Sequence, residues 1–332
     1  MNMKMRKKLT NKLEKLLNKH WGVYVGIIVV LLIFIGYTLS ALSTSKLAFL
    51  TTEKKSQEVS LYEGSFVAPR ITAESAIVWD VRANRPIYEK NADKAKPLAS
   101  ITKIMTALTA IENVPRDTEV SIDYNALAQD GESGLVAGEK WTLTDLIDFS
   151  LIESSNDGIA AVASAVGAIH EGLPNERAMG RLSFIDMMNQ KAKELGLTHT
   201  KFENESGLDI WNETESGASG SARDVAKLFS YVLTEYPEIF EATTHSSASF
   251  TSLSGSTYTA KNTNQALSAI PNLIGSKTGY TNISGGNLGV IVDPGINYPF
   301  VIVVLGSTFE ERFRDVVALS EATLRYLSPP NN

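Results

Sequence analysis

The sequence predicts a mixed α/β (α+β) domain: one antiparallel sheet built from both ends of the domain around a largely helical inserted region, preceded by one transmembrane helix. Three patterns carry this. Strand-like apolar runs stand near the start of the domain (75–80, 86–89) and again near its end (289–292, 300–305). Apolar residues at helical spacing fill the stretch between, and an uncharged run covers residues 21–45.

The N-terminus sets the compartment. Lys4, Arg6, Lys7, Lys8, Lys12, Lys15 and Lys19 precede a charge-free run rich in Val, Ile and Leu. A spanning helix needs about 20 apolar residues, whereas the apolar part of a cleaved signal is roughly 7 to 15 long. An uncleaved single-pass membrane anchor over 21–45 is therefore expected, with 1–20 kept in the cytoplasm by its positive charge and everything after about 46 outside the membrane. The alternative is export after signal cleavage among the small residues near 40–45. Residues 46–70 are polar without a sustained period and read as a linker. The domain is placed at 71–328, with a short tail at 329–332.

Inside the domain, 75–80 and 86–89 flank a turn and form a hairpin. Ile101, Ile104, Met105, Leu108 and Ile111 mark a helix over 101–112 with Ser100 at its start. Further helices are expected at 143–151, 157–169, 180–195 and 222–234, the last capped by Ser221. Strand signals return around Lys277 and at 289–292, then after a turn at Asp293-Pro294-Gly295 at 300–305, and a helix over 313–326 closes the domain.

Composition excludes several classes. A net charge of -6 with mixed signs offers no basic stripe for nucleic acid. No cysteine is present, and the four histidines stand at no metal-ligand spacing, so neither a disulfide framework nor a metal or other cofactor is expected.

Three short elements remain. Ser100-Ile101-Thr102-Lys103 puts a hydroxyl and an amine three residues apart at a helix start, where the lysine can activate the serine. Ser154-Ser155-Asn156 lies at the boundary of two helical runs, where Asn156 or Asp157 could equally serve as an ordinary cap. Lys277-Thr278-Gly279 lies in a strand and supplies a cation with an adjacent hydroxyl.

In the order S-x-x-K, S-x-N, K-T-G these elements resemble the set shared by class A β-lactamases and penicillin-binding proteins. LASITKIMT at 98–106, ESSND at 153–157, LGLTHTKFEN at 195–204, GLD at 207–209, SARD at 221–224 and GSKTGYT at 275–281 are similar to the low-molecular-mass penicillin-binding proteins, the serine D-alanyl-D-alanine carboxypeptidases, over about 71–327. The resemblance implies a β-lactamase/transpeptidase-like fold. It also implies a peptidoglycan stem peptide ending in D-Ala-D-Ala as substrate and β-lactam antibiotics as covalent inhibitors. Ser100 would be the nucleophile, Lys103 its base, kept neutral by burial and by Lys277, and Ser154 the proton relay. Asn156 would bind the substrate backbone and Lys103, and Lys277 with Thr278 the free carboxylate. Gly279 would let the peptide lie against the strand, and the backbone N–H groups of Ser100 and Tyr280 would hold the oxyanion.

Ser307 stands where some members have an arginine that helps hold the substrate carboxylate. The sequence stops short of the β-rich C-terminal domain of many carboxypeptidases, which also fits a D,D-endopeptidase that cuts cross-bridges. A non-catalytic β-lactam-binding module is a further alternative. A β-lactamase is disfavoured, because no E-x-x-L-N element occurs between Asn156 and Lys277.

Overall fold

Alternation along the strands decides how the sheet is buried. In the computed structural model, which describes residues 65–131, 133–173, 175–210, 214–295 and 297–328, five strands form one antiparallel sheet. They are β1 (Ser75–Asp80), β2 (Arg85–Lys90), β3 (Leu273–Thr281), β4 (Gly285–Val292) and β5 (Phe300–Ser307). Their order is β3-β4-β5-β1-β2, so the last strand of the chain pairs with the first, Ile77 facing Val303 and Trp79 facing Val301. The expected sheet from both ends is the one observed.

Ile77, Trp79, Ile291, Val301, Val303 and Leu305 point to the helical region, and Ala76, Val78, Leu288, Val290, Ile302 and Val304 point to the opposite side. Both faces are thus covered, which is why 300–305 reads as an unbroken apolar run. At roughly 1.5–3 kcal/mol for each fully buried large side chain, these strands anchor the domain. The outer face is covered by the C-terminal helix α6 (Glu311–Leu327), through Phe313, Val316 and Leu319.

The inserted helices are α1 (Lys103–Asn113), α2 (Leu143–Glu153), α3 (Asn156–His170), α4 (Arg177–Glu194) and α5 (Ala222–Glu235). α1 and α3 are buried along most of their length, in keeping with their many alanines. Ser221 caps α5 as expected, accepting from the Asp224 N–H at 3.1 Å. Phe66, assigned to the linker from its polar surroundings, stacks on Tyr88 at 5.4 Å and meets Tyr326 at 6.1 Å.

Residues 1–20, the proposed span 21–45, the linker up to 64 and the tail 329–332 lie outside the described residues. Among the described residues no helix is long and apolar enough to cross a membrane.

Candidate active site

The helix expected from 101 starts two residues later, and the difference matters. Ala99 takes a left-handed backbone (φ 48) and opens a 3-10 turn, Ala99–Thr102, before α1 begins at Lys103. In a 3-10 turn residues i and i+3 eclipse, which stacks Lys103 directly over Ser100. Lys103 Nζ lies 2.8 Å from Ser100 Oγ.

Lys103 is fully buried and has three oxygen partners: Ser100 Oγ, Asn156 Oδ1 at 2.7 Å and the Ser206 carbonyl at 3.2 Å. The Asn156 amide is oriented by its other end, since Nδ2 donates to the Asp130 carbonyl at 2.6 Å and so leaves Oδ1 toward the lysine. Both Asn156 Oδ1 and Ser206 O can only accept. A neutral Lys103 spends its two N–H bonds on them, and its lone pair then faces the Ser100 hydroxyl. Burial lowers Lys103 to about 7, against the opposing pull of the Glu205 carboxylate. Burial, the first of the two causes expected, is the main cause of the lowered Lys103, and Lys277 is itself pushed well down, by burial first and then by Lys103 and Arg312.

Ser154 ends α2 in a left-handed conformation (φ 61), which turns its hydroxyl into the site, where Lys277 Nζ donates to it at 2.9 Å. Non-glycine residues in this region are strained by about 1 kcal/mol or more, and the two among the described residues that are not asparagine, Ala99 and Ser154, adjoin Ser100 or stand in the site itself. The cap of α3 is neither Asn156 nor Asp157 but Ser155, whose Oγ accepts from the Gly158 N–H at 3.0 Å. That leaves Asn156 free to serve the lysine.

Among the described residues β3 is an edge strand, paired only with β4. Lys277 on it is buried, donating to Ser154 Oγ and to the Thr278 carbonyl at 3.0 Å. Thr278 Oγ1 lies 2.6 Å from Thr263 Oγ1. Gly279 has a close neighbour within the chain as well. A Cβ there would stand 2.8 Å from the Leu98 carbonyl and 3.2 Å from Ala99 Cβ, so the missing side chain admits the Ser100 turn. Tyr280 is 46% exposed and meets Phe309 edge-on at 5.1 Å.

Ser307 is turned away from this corner, its hydroxyl donating to Asp315 Oδ2 at 2.7 Å. The cation that serves the corner is Arg312, at the start of α6. It is buried, donates Nη1–H to the Gly279 carbonyl at 2.8 Å, and lies over the rings of Phe309 and Phe313 at 4.4 and 4.6 Å. Its Nε has no hydrogen-bond partner among the described residues, and burial lowers the Arg312 guanidinium to about 10. Arg312 therefore holds unused donor capacity behind the strand that carries Lys277 and Thr278.

The loop 203–210 closes the other side. Gly207 (φ 78) packs so tightly under the Ser100 turn that a Cβ would fall 2.0 Å from the Ala99 carbonyl. Beside this wall opens a groove of about 690 Å³ lined by Gln129, Asp130, Arg181, Asn204 and Asp209 among others.

Ser100, Lys103, Ser154, Asn156, Lys277, Thr278, Gly279 and Tyr280 are thus brought together from three parts of the chain. Sequence reasoning missed Arg312, Thr263 and the Ser206 carbonyl. The first had a signal, an arginine at the head of an amphipathic helix after a strand, but nothing in the pattern sets it apart from a surface residue. A backbone carbonyl gives no signal at all.

The geometry has solved counterparts. The Streptomyces K15 DD-transpeptidase superposes with a TM-score of 0.69 at 26% identity, covering 78% of this chain and 99% of that one. A D-alanyl-D-alanine carboxypeptidase from Mycobacterium tuberculosis H37Rv gives 0.68 at 25% identity, over 80% and 96%. Among curated proteins, the D-alanyl-D-alanine endopeptidase of Escherichia coli is 30% identical over 223 residues, 65% of this chain and 66% of the relative. The D-alanyl-D-alanine carboxypeptidase DacF of Bacillus subtilis is 29% identical over 74% of this chain and 61% of its own length. Those two matches take in less than two thirds of either relative. Residues 63–308, which include every side chain of the site except Arg312, match the D-alanyl-D-alanine carboxypeptidase family, and the chain belongs to that family.

Proposed function

We propose that the protein is a serine D-alanyl-D-alanine carboxypeptidase that removes the terminal D-alanine from peptidoglycan stem peptides through an acyl-enzyme on Ser100. The observation that carries this reading is the aim of Lys103: two of its three partners accept only, so its lone pair has the Ser100 hydroxyl as its one proton source.

Lys103 takes the Ser100 proton as Oγ bonds to the carbonyl carbon between the two D-alanines. The backbone N–H groups of Ser100 and Tyr280 receive the oxyanion. As the C–N bond breaks, the departing amine takes a proton through Ser154, which Lys277 holds in place. Water then attacks the acyl-enzyme with Lys103 again the base. The substrate lies along the open edge of β3 as an added strand, its free carboxylate meeting Thr278 and Lys277 with Arg312 behind them. That carboxylate also supplies the anion that restores the proton to Lys277, whose basic neighbours Lys103 and Arg312 both work against it.

Endopeptidase action on cross-bridges is the second reading, favoured by the similarity to the Escherichia coli endopeptidase. Incubating the full chain with a pentapeptide ending in D-Ala-D-Ala and with cross-linked muropeptide, and weighing the products, separates the two. Release of free D-alanine from the pentapeptide is expected. Cleavage of the cross-link alone defeats the carboxypeptidase reading, and cleavage of neither, with β-lactam labelling intact, favours a binding module.

The basic N-terminus and the charge-free run 21–45 support a membrane anchor with the domain outside. Protease added to spheroplasts should then degrade the domain and spare an N-terminal tag; mature protein starting near 41–46 would instead mean signal cleavage.

A further inference from the structure

Of the two acceptors that aim Lys103, Ser206 lies on one loop, and Asn156, which opens α3, is oriented by a second. Ser206 follows Glu205 on the loop 203–210, and Asp130, whose carbonyl orients Asn156, follows Gln129. One side chain reaches both loops. Arg181, on the inner face of α4, donates Nε–H to Glu205 Oε2 at 2.8 Å, places Nη2 2.8 Å from Glu205 Oε1, and donates Nη2–H to Gln129 Oε1 at 3.0 Å. The Glu205 carboxylate is completely buried, and its backbone is tied to α1 one turn beyond Lys103, where Thr106 Oγ1 donates to the Glu205 carbonyl at 2.6 Å. Neither Arg181 nor Glu205 belongs to the three motifs.

A buried carboxylate one residue from a catalytic lysine's partner is costly unless it has a task, because desolvating a charge is unfavourable without a close counter-charge. Arg181 supplies that counter-charge through one charge-assisted hydrogen bond, to Oε2, and a close ion-pair contact at Oε1, which has no hydrogen-bond partner among the described residues. We propose that Arg181 and Glu205 are positioning residues: a clasp beneath the active site that holds the Ser206 carbonyl and the Asn156 amide in the orientation that aims Lys103 at Ser100, with Arg181 cancelling the charge Glu205 brings beside that lysine. This rests on Lys103 being the base.

The charged groups around Lys103 set the signs. Glu205 faces it from the loop 203–210 with Arg181 behind, and Lys277 faces it from β3 with Arg312 beyond. From α3, Asp157 is turned to the Ser133 hydroxyl at 3.0 Å, and Asp209 is occupied by Thr281 Oγ1 at 3.0 Å. Removing the Glu205 charge therefore favours neutral Lys103. Removing Arg181 alone leaves Glu205 uncompensated and favours the ammonium.

The test is the pH profile of acylation by a fluorescent penicillin, measured on the full chain. The wild type should show a rise through the Lys103 titration. Glu205→Gln, which keeps the shape, should move that rise to lower pH by about one unit, and Arg181→Met should move it up by a similar amount, so that acylation at neutral pH falls about tenfold and recovers at high pH. Arg181→Lys should rescue the position of the rise but not the whole rate, since ammonium lacks the planar guanidinium that bonds Glu205 and Gln129 together. Loss of rate by one factor at every pH, with the rise unmoved in Glu205→Gln, would mean a merely structural pair and overturn the proposal, and this variant decides the matter even if Arg181→Met does not fold. A wild type with no rise at all, or a Lys103→Arg variant that acylates normally, would instead sink the reading of Lys103 as the base.

Discussion

The site holds two buried lysines, each bonded to a serine, and their surroundings differ in one respect. Lys103, on the helical side, is met by Ser100, Asn156 and the Ser206 carbonyl, with the Glu205 carboxylate nearby. Lys277, on the strand side, is met by Ser154 and the Thr278 carbonyl, with two basic groups, Lys103 and Arg312, as the neighbours that lower it. The first has its acceptors filled and its lone pair aimed, as a base needs. The second stands beside a strand edge with basic neighbours and no carboxylate among those that shift it, as an anion site needs. The same side chain is given two tasks by what surrounds it.

The division is broken most severely at the serines. Ser100→Ala removes the covalent route, so fluorescent penicillin labelling and D-alanine release should both vanish, a loss of several orders of magnitude. Ser154→Ala removes a proton relay and leaves the nucleophile and its base in place, so labelling should slow yet persist. A penicilloyl adduct mapped by mass spectrometry to any serine other than Ser100 would overturn the assignment.

Exchanging each lysine for arginine sharpens the contrast at the next level. Guanidinium stays protonated at any working pH, so Lys103→Arg should lose acylation by on the order of a thousandfold or more, while Lys277→Arg keeps a cation at the strand edge and should lose far less, mostly as a raised KM for substrates with a free carboxylate. Equal losses would erase the distinction drawn between the two. The pH dependence has a definite sign. With Lys103 as the proposed base, acting when neutral, acylation should rise with pH through about 7. Its folded pKa lies below its ordinary value of 10.5, so between these limits the unfolded chain binds the extra proton, and this group's contribution makes stability rise with pH across that window. Chemical denaturation of the wild type and Lys103→Met should show the gap between them change over that range.

The parts that sequence reasoning reached are those in which side-chain type and spacing carry the chemistry. Ser100 with Lys103, Ser154 with Asn156, and Lys277 with Thr278 are local pairs, and strands buried on both faces, such as β5, announce themselves as apolar runs. What stayed hidden is long-range or made of backbone. Arg312 meets Gly279 across 33 positions, Glu205 meets Arg181 across 24, and the Ser206 carbonyl has no side-chain signature. At Gly279 the close approach of the Ser100 turn was also hidden, because it appears only once the sheet is assembled.

The smallest effect concerns what joins the two lysine environments. Ser154 serves Lys277 and Asn156 serves Lys103, and the residue between them, Ser155, is buried with its Oγ accepting from the Gly158 N–H at 3.0 Å and donating to Ser133 Oγ at 2.8 Å. As a helix cap it should be worth about 1 kcal/mol, the same as Ser221 at the head of α5, which lies outside the catalytic network. Alanine at either position should therefore lower the melting temperature by about 2–4 °C in a domain of this size. Their effects on acylation should part company. Ser221→Ala leaves the spacing of the site untouched and should acylate at the wild-type rate, whereas Ser155→Ala frees the turn that sets Ser154 against Asn156 and should slow acylation by roughly three- to tenfold, since small displacements of positioned groups are felt in rate. If both variants lose the same stability and neither loses rate, the cap is only a cap, and the two lysine environments are held in register by something other than the middle residue of the S-x-N element.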